Sequence, residues 1–387
     1  MIAVLIAQFV SALADNALLF AAIALLKSQA APNWQIPLLQ EFFVLSFILL
    51  APFVGPFADG FPKGRVMLIA NSMKLIGAGA MFAGVNPLLA YGMVGIGAAA
   101  YSPAKYGILS ELVSAEKLVK ANGLMEGSTI VAILLGAVLG GILADISVSV
   151  ALISVSACYF FAAITNTFIP RLPIARPDTK FQPVKLANEF FEALKVLLFN
   201  KDVRFSLIGT SIFWGAGSTL RLLLVAWVPI ALGSSDMSLP ANLSGAVAIG
   251  IAIGAFLAAK FVTLKNINRV LPAGLLIGIF IMLFAHATHL YATIVLLMLI
   301  GAAGGFYVVP LNALLQERGH ETVGSGNAVA VQNFFENFCM LVLLGLFIVM
   351  EKNKVPIVTS TFIFGGIILL SVVILALKRL GQSQQTT

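Results

Sequence analysis

Charge is what this chain has least of. Asp, Glu, Lys and Arg make up 10% of its 387 residues, against about 25% in a typical soluble domain, which excludes an ordinary water-exposed globule. Cysteine is scarcer still. Cys158 and Cys339 each sit inside an apolar run, so neither a disulfide framework nor a cysteine-ligated metal site is readable. The three histidines, His286, His289 and His320, fall near predicted loops and have no nucleophile or metal-ligand spacing around them. No enzyme, metal site or cofactor is therefore expected.

Apolar residues are abundant, at 60% of the chain with a mean hydropathy of +1.03, and they place it in a membrane. A net charge of +7 in a soluble protein would suggest nucleic acid. Here the basic residues gather in particular loops, which is a topology signal, and no nucleic-acid partner is expected. Windows of about 20 residues, broken at charges and at Pro/Gly clusters, predict an all-α polytopic protein of twelve transmembrane helices. Six lie at 2–28, 36–59, 66–84, 88–112, 119–144 and 147–170, and six at 203–232, 241–263, 269–288, 290–315, 323–349 and 356–377. The first run lacks a charged leading region and is long enough to span, so it reads as a helix and not as a cleaved signal.

This division gives an N-terminal bundle over 1–170, a linker over 171–202 and a C-terminal bundle over 203–387. The linker is polar, proline-bearing and net positive. Its second part, VKLANEFFEALKVLLF, sets Leu186, Phe190, Leu194 and Leu197 at helical spacing, which suits either an interfacial amphipathic helix or an ordinary linker helix. Lys and Arg concentrate in the even-numbered loops, in the linker and in the tail. By the positive-inside rule both termini are cytoplasmic.

The halves repeat each other at an offset of about 204 to 207 residues. YSPAKYGILSELVSAEKLVKANG (101–123) aligns with VVPLNALLQERGHETVGSGNA (308–328), matching Pro103 to Pro310 and Lys105 to Asn312. FVSALADNALLF (9–20) lies over FWGAGSTLRLLL (213–224). Two parallel six-helix pseudo-repeats are the architecture of the major facilitator superfamily, with a site at the midplane between halves. GPFADGFPKGR (55–65) resembles that superfamily's hallmark after the second helix. Asp59 there reads as a conformational latch, with Lys63 and Arg65 as basic anchors. GAVLGG, with Gly136 and Gly140, and GIAIG, with Gly250 and Gly254, are small-xxx-small patterns. On helices five and eight of this architecture they are expected on the moving faces where the halves meet.

Charges inside spans are the sharpest signal, because such residues line pathways by default. Asp15 and Asn16 lie near mid-depth of the first helix; Gln332, Asn333 and Glu336 lie in the eleventh. Arg221 is just past the middle of the seventh, and Lys105 and Glu126 lie in the fourth and fifth. Lys105 and Glu126 read equally as an ion pair between neighbouring helices and as substrate contacts. Arg221, a planar fork of donors, suits phosphate or carboxylate. Lys74, on a helix expected at the periphery, is the odd one out among the gating or structural candidates.

ALADNALLFA, LAPFVGPFADGFPKGRVM, GAAAYSPAKYGILSEL, KANGLMEGSTI, FWGAGSTLR, VVPLNALLQERG and GNAVAVQNFFEN together resemble the bacterial lysophospholipid transporters of that superfamily, in both halves. The resemblance implies transfer of lysophospholipids, chiefly lysophosphatidylethanolamine, from the outer to the inner leaflet of the bacterial inner membrane. It also implies a partner acyltransferase/acyl-carrier-protein synthetase that reacylates them. Arg221 and Lys105 would take the phosphate, Asp15 or Glu336 the ammonium, and the acyl chain would enter laterally between helices of the two halves. A monomer is expected. The competing reading is a carrier of a soluble amphipathic drug or organic ion, coupled to protons through Asp15 or Glu336.

Overall fold

The computed structural model describes residues 1–112, 115–170, 182–323 and 325–383. Every regular element among them is helical, as expected where the backbone must satisfy its own polar groups in lipid. The order is α1 (Ile2–Ser28), α2 (Gln35–Gly60), α3 (Lys63–Phe82), α4 (Pro87–Leu112), α5 (Ala115–Ile146), α6 (Val148–Thr167) and α7 (Pro183–Phe199). Then come α8 (Lys201–Ala231), α9 (Ser238–Phe261), a short 3-10 turn (Leu264–Val270), α10 (Leu271–Phe284), α11 (Leu290–Val323), α12 (Ser325–Lys352) and α13 (Ile357–Ser383). Two compact units, Met1–Glu192 and Ala193–Thr387, divide the chain inside α7.

Among the described residues ten segments are long and apolar enough to cross a membrane. The expected number was twelve. The two that fall outside are α3, which carries Lys63, Arg65 and Lys74, and α4, which is rich in Gly, Ala and Tyr. Both still pack as members of the first unit, α3 on α4 and α6, and α4 on α2. The linker helix α7 buries Leu186, Phe190, Ala193 and Leu197. Its apolar stripe is therefore covered by protein, which favours the linker reading over a helix laid in lipid.

The repeat seen in sequence returns in the packing. In the first unit the pairs are α1 with α5, α2 with α4, α3 with α4 and α3 with α6; in the second they are α8 with α12, α9 with α11, α10 with α11 and α10 with α13. Moving seven helices along the chain carries each pair onto its counterpart. Pro103 and Pro310 both lie inside their helices, α4 and α11, which is tolerated where neighbours can satisfy the freed carbonyl. Gly84, at φ +89°, lets the chain leave α3, with the Val85 N–H donating to the Ala80 carbonyl at 3.0 Å. This is the left-handed helix ending that glycine allows without strain.

The small-residue patterns seat helices within each unit. A Cβ on Gly136 would meet the Leu13 carbonyl and one on Gly140 would meet the Ala17 backbone, both on α1. On α9, Gly250 and Gly254 lie against the Met298 and Ala302 carbonyls of α11, and α11 answers with Gly301 and Gly305 against Val247 and Ile251. Backbones this close gain dispersion and weak Cα–H···O contacts that side chains would block. Gly254→Val should therefore cost roughly 1–3 kcal/mol or more, because the obstructing atoms are backbone. The check is thermal unfolding in detergent. Gly254→Val should melt several degrees below the parent, and Gly366→Val, at a position open to 4 Å, should melt with it.

Candidate functional site

Asp15 sits in the middle of α1 and has a partner. Lys74 reaches from α3 to place Nζ 2.7 Å from Asp15 Oδ2, and the Tyr159 hydroxyl on α6 donates to Asp15 Oδ1 at 2.8 Å. Lys74 Nζ also donates to Ser11 Oγ at 3.1 Å, and Ser11 donates to Asn71 Oδ1 at 2.7 Å. The ammonium lies 5.0 Å from the Tyr101 ring centroid and 5.8 Å from that of Tyr159, within cation–π range. The Lys74 side chain is 1% exposed and that of Asp15 23%. Lys74 is therefore no peripheral outlier. Its stem lies on α4 at Gly97, where a Cβ would stand 2.8 Å from Lys74 Cγ. Ser11 and Asp15 are one turn apart on α1, as are Asn71 and Lys74 on α3, and these polar pairs in apolar helices were the signal available in sequence. Asn16 turns away from this network: it donates to the Ala12 carbonyl at 2.8 Å and faces Gly136 of α5.

Two turns along α1, a second polar cluster joins α1, α4 and α5. Lys105 Nζ donates to Thr129 Oγ1 at 3.0 Å, and Gln8 Nε2 donates to the same oxygen at 2.5 Å. Ser128 Oγ donates to Gln8 Oε1 at 2.8 Å. Lys105 is 8% exposed. The pairing of Lys105 with Glu126 considered from sequence lies outside the described residues, since the Glu126 side chain is not among them. Gln8, Ser128 and Thr129 were missed because a neutral hydroxyl or amide in an apolar helix looks ordinary beside a charge.

The second unit carries the counterpart. Gln332 Nε2 on α12 donates to Asn312 Oδ1 of α11 at 2.8 Å and to Glu336 Oε1 at 2.7 Å. Thr210 on α8 also hydrogen-bonds Glu336, whose residue exposure is 6%. The Asn333 carbonyl accepts from Asn337 Nδ2 at 2.7 Å. Arg221, half-buried on α8, stands three turns beyond Thr210, about 16 Å along the axis, and so lies apart from the Glu336 cluster. The repeat relates the two clusters, with Asn312 standing where Lys105 does and Glu336 where Thr129 does. One unit thus holds a buried ammonium and the other a buried carboxyl group, each steadied by an amide. Among the described residues no three His, Cys, Asp or Glu side chains converge to hold a metal.

Further pairs close the helix ends. Lys63 donates to Asp59 Oδ1 at 3.0 Å and is 4% exposed, its stem against Gly107 of α4. This corrects its expected part as a surface anchor; Arg65 is the exposed member. In the second unit Arg379 of α13 donates to Asp202 of α8 at 2.6 Å and to Asn268 at 3.2 Å, and stacks over Phe205 at 4.8 Å. Arg318 of α11 approaches the other Asp202 oxygen at 3.8 Å. Asn200 caps α8 beside them. Nothing local in sequence joins residues 177 positions apart.

The family described as Major Facilitator Superfamily matches residues 4–343. A lysophospholipid transporter of Yersinia enterocolitica is 57% identical over 358 residues, covering 92% of this chain and 89% of the relative. Lysophospholipid transporters of Escherichia coli and Photorhabdus laumondii are each 54% identical over 370 residues, covering 96% of this chain and 93% of each relative. Among solved structures, a mutant form of the nucleoside transporter NupG superposes with a TM-score of 0.75, covering 98% of both chains at 13% identity. At that identity the likeness concerns the fold alone.

Removing one member of the Asp15–Lys74 pair strands the other. Lys74→Met should destabilise the protein by on the order of 3 kcal/mol, read as a lower detergent melting temperature. Adding Asp15→Asn to Lys74→Met should recover most of the loss, because no uncompensated charge remains; a double variant as unstable as the single would remove the ion pair from the account.

Proposed function

The chain belongs to the major facilitator superfamily and, within it, to the lysophospholipid transporters, and we propose that its cargo is chiefly lysophosphatidylethanolamine, carried from the outer to the inner leaflet of the bacterial inner membrane. The carrier works by alternating access. The single acyl chain remains at lipid level and enters laterally, and both termini are cytoplasmic. A cytoplasmic-side acyltransferase/acyl-carrier-protein synthetase then restores the second chain, and the carrier acts as a monomer.

One observation carries the reading: buried groups of both signs, Lys105 in one unit and Glu336 in the other, sit on networks of neutral donors and acceptors. A zwitterionic headgroup needs one pole of each sign. Lys105 serves the phosphate, and Glu336, with Gln332 and Asn333, serves the ammonium; Arg221, expected beside Lys105 on the phosphate, stands about 16 Å along α8 from Thr210 and is left out of this pair of poles. Asp15 was an equal candidate for the ammonium. Its bonds to Lys74 and Tyr159 leave Glu336 as the better choice and make Asp15 a group that holds the first unit together. Asp59, Lys63 and Arg65 act in latching.

Charge-assisted hydrogen bonds are worth roughly 1.5–3 kcal/mol, so Lys105→Met and Glu336→Gln should each slow transfer about tenfold or more. The measurement is reacylation of labelled lysophosphatidylethanolamine supplied to the outer leaflet of spheroplasts, with membrane levels of each variant matched. Normal rates in both variants would refute the two poles. The same reacylation assay decides between this reading and the carrier of a soluble amphipathic drug or organic ion, and collapsing the proton and sodium gradients separately tests coupling: a lysolipid rate that survives both is not driven through Glu336.

A further inference from the structure

Gln8 is a buried amide, 1% exposed, two turns before Asp15 in the mainly apolar helix α1. Its two ends touch neighbouring hydroxyls of α5. The carbonyl oxygen accepts from Ser128, and the amide nitrogen donates to Thr129. Thr129 uses its one proton on the Met125 carbonyl of its own helix at 2.8 Å. Its oxygen can then only accept, and it accepts from Gln8 and from Lys105 together. In this arrangement the Gln8 amide turns its nitrogen to Thr129 and its oxygen to Ser128, whose hydroxyl also lies 2.9 Å from the Met125 carbonyl.

Lysine is a compact charge on a flexible four-carbon stem. Where its ammonium stands depends on what receives its protons, and without an acceptor the stem is free to carry the charge toward a wetter level. Thr129 is one such acceptor, at 3.0 Å, and Gln8 bonds Thr129 in turn. The second unit also joins its fourth helix to its fifth here, from a different position and with the bond reversed: Asn312, at the Lys105 position, accepts from Gln332, one turn before Glu336, at 2.8 Å. The bracket from the fifth helix of each unit to the fourth is thus a feature of the repeat, to which the first unit adds a charge.

We propose that Gln8 and Thr129 are positioning residues that aim Lys105 at the lysolipid phosphate and thereby set the preference for phosphate-bearing cargo; this rests on the phosphate role of Lys105 given above. The test uses the purified full-length protein and two ligands of equal chain length, lysophosphatidylethanolamine and a long-chain alkylamine that has the ammonium but no phosphate. Affinities are read by titration in detergent for variants that melt with the parent. Thr129→Val should weaken the lysolipid about tenfold while the alkylamine stays within about twofold. Thr129→Ser, which keeps the hydroxyl, should restore the lysolipid to within about twofold of the parent. Gln8→Met should match Thr129→Val, and the double variant should be no weaker than either, as expected of groups acting as one unit. If Thr129→Val does not melt with the parent, Gln8→Met and Thr129→Ser carry the comparison.

Equal losses for both ligands, no loss in Thr129→Val or Gln8→Met, or no rescue by serine would each overturn the proposal. Lys105→Met separates the two levels. Undiminished lysolipid affinity there defeats the phosphate role itself, and the positioning claim with it. A large loss there beside an unaffected Thr129→Val defeats the positioning claim alone.

Discussion

A carboxylate at mid-depth of a membrane helix must be compensated where it stands, since leaving a charge there costs about 2.5 to 3.5 kcal/mol by insertion scales. Asp15 meets this condition with an ammonium at 2.7 Å and a phenol at 2.8 Å. These contacts come from different helices, so neutralising one charge fixes the spacing of α1, α3 and α6, while the aromatic face of Tyr101 brings α4 to the same point. Helices in lipid have little hydrophobic reason to associate. A shared ion pair supplies a reason that is both strong and directional.

Close backbone approach is the second source of cohesion, and it depends on the same shortage of bulk. Gly97 makes room for the Lys74 stem, Gly107 does so for Lys63, and the paired glycines of α9 and α11 bring two backbones together. Glycine in helix interiors is disfavoured in water, so its placement at these sites follows from what must lie against it. Ion pair and glycine are complementary devices: at Lys74 and Lys63 the long cationic side chain turns into the bundle where the facing helix presents no Cβ.

Much of this was legible in the chain itself. Apolar runs located the helices to within a few residues in most cases, because hydrocarbon imposes length and composition directly, and the repeat around Pro103 and Pro310 foretold the matching of helix pairs. The need of Asp15 for a partner was also legible. That partner's identity was not, because the inward turn of Lys74 is decided by a glycine on another helix, 23 positions further along the sequence. Gln8 and Thr129 were invisible for a related reason. A neutral polar side chain signals nothing until its neighbours are known, and here they come from α1, α4 and α5 together. The Asp202–Arg379 pair belongs to the first and last helices of its unit, where no window of sequence contains both.

The two repeats carry the same polar positions with different chemistry. At the position shared by Lys105 and Asn312 the first unit has a cation and the second a neutral amide; at the position shared by Thr129 and Glu336 the first has a hydroxyl and the second a carboxyl group. Each unit therefore changes only one of the two positions to an ionisable residue, and it is a different one in each. The proposed function builds on this difference, assigning the phosphate of a headgroup to the one unit and its ammonium to the other.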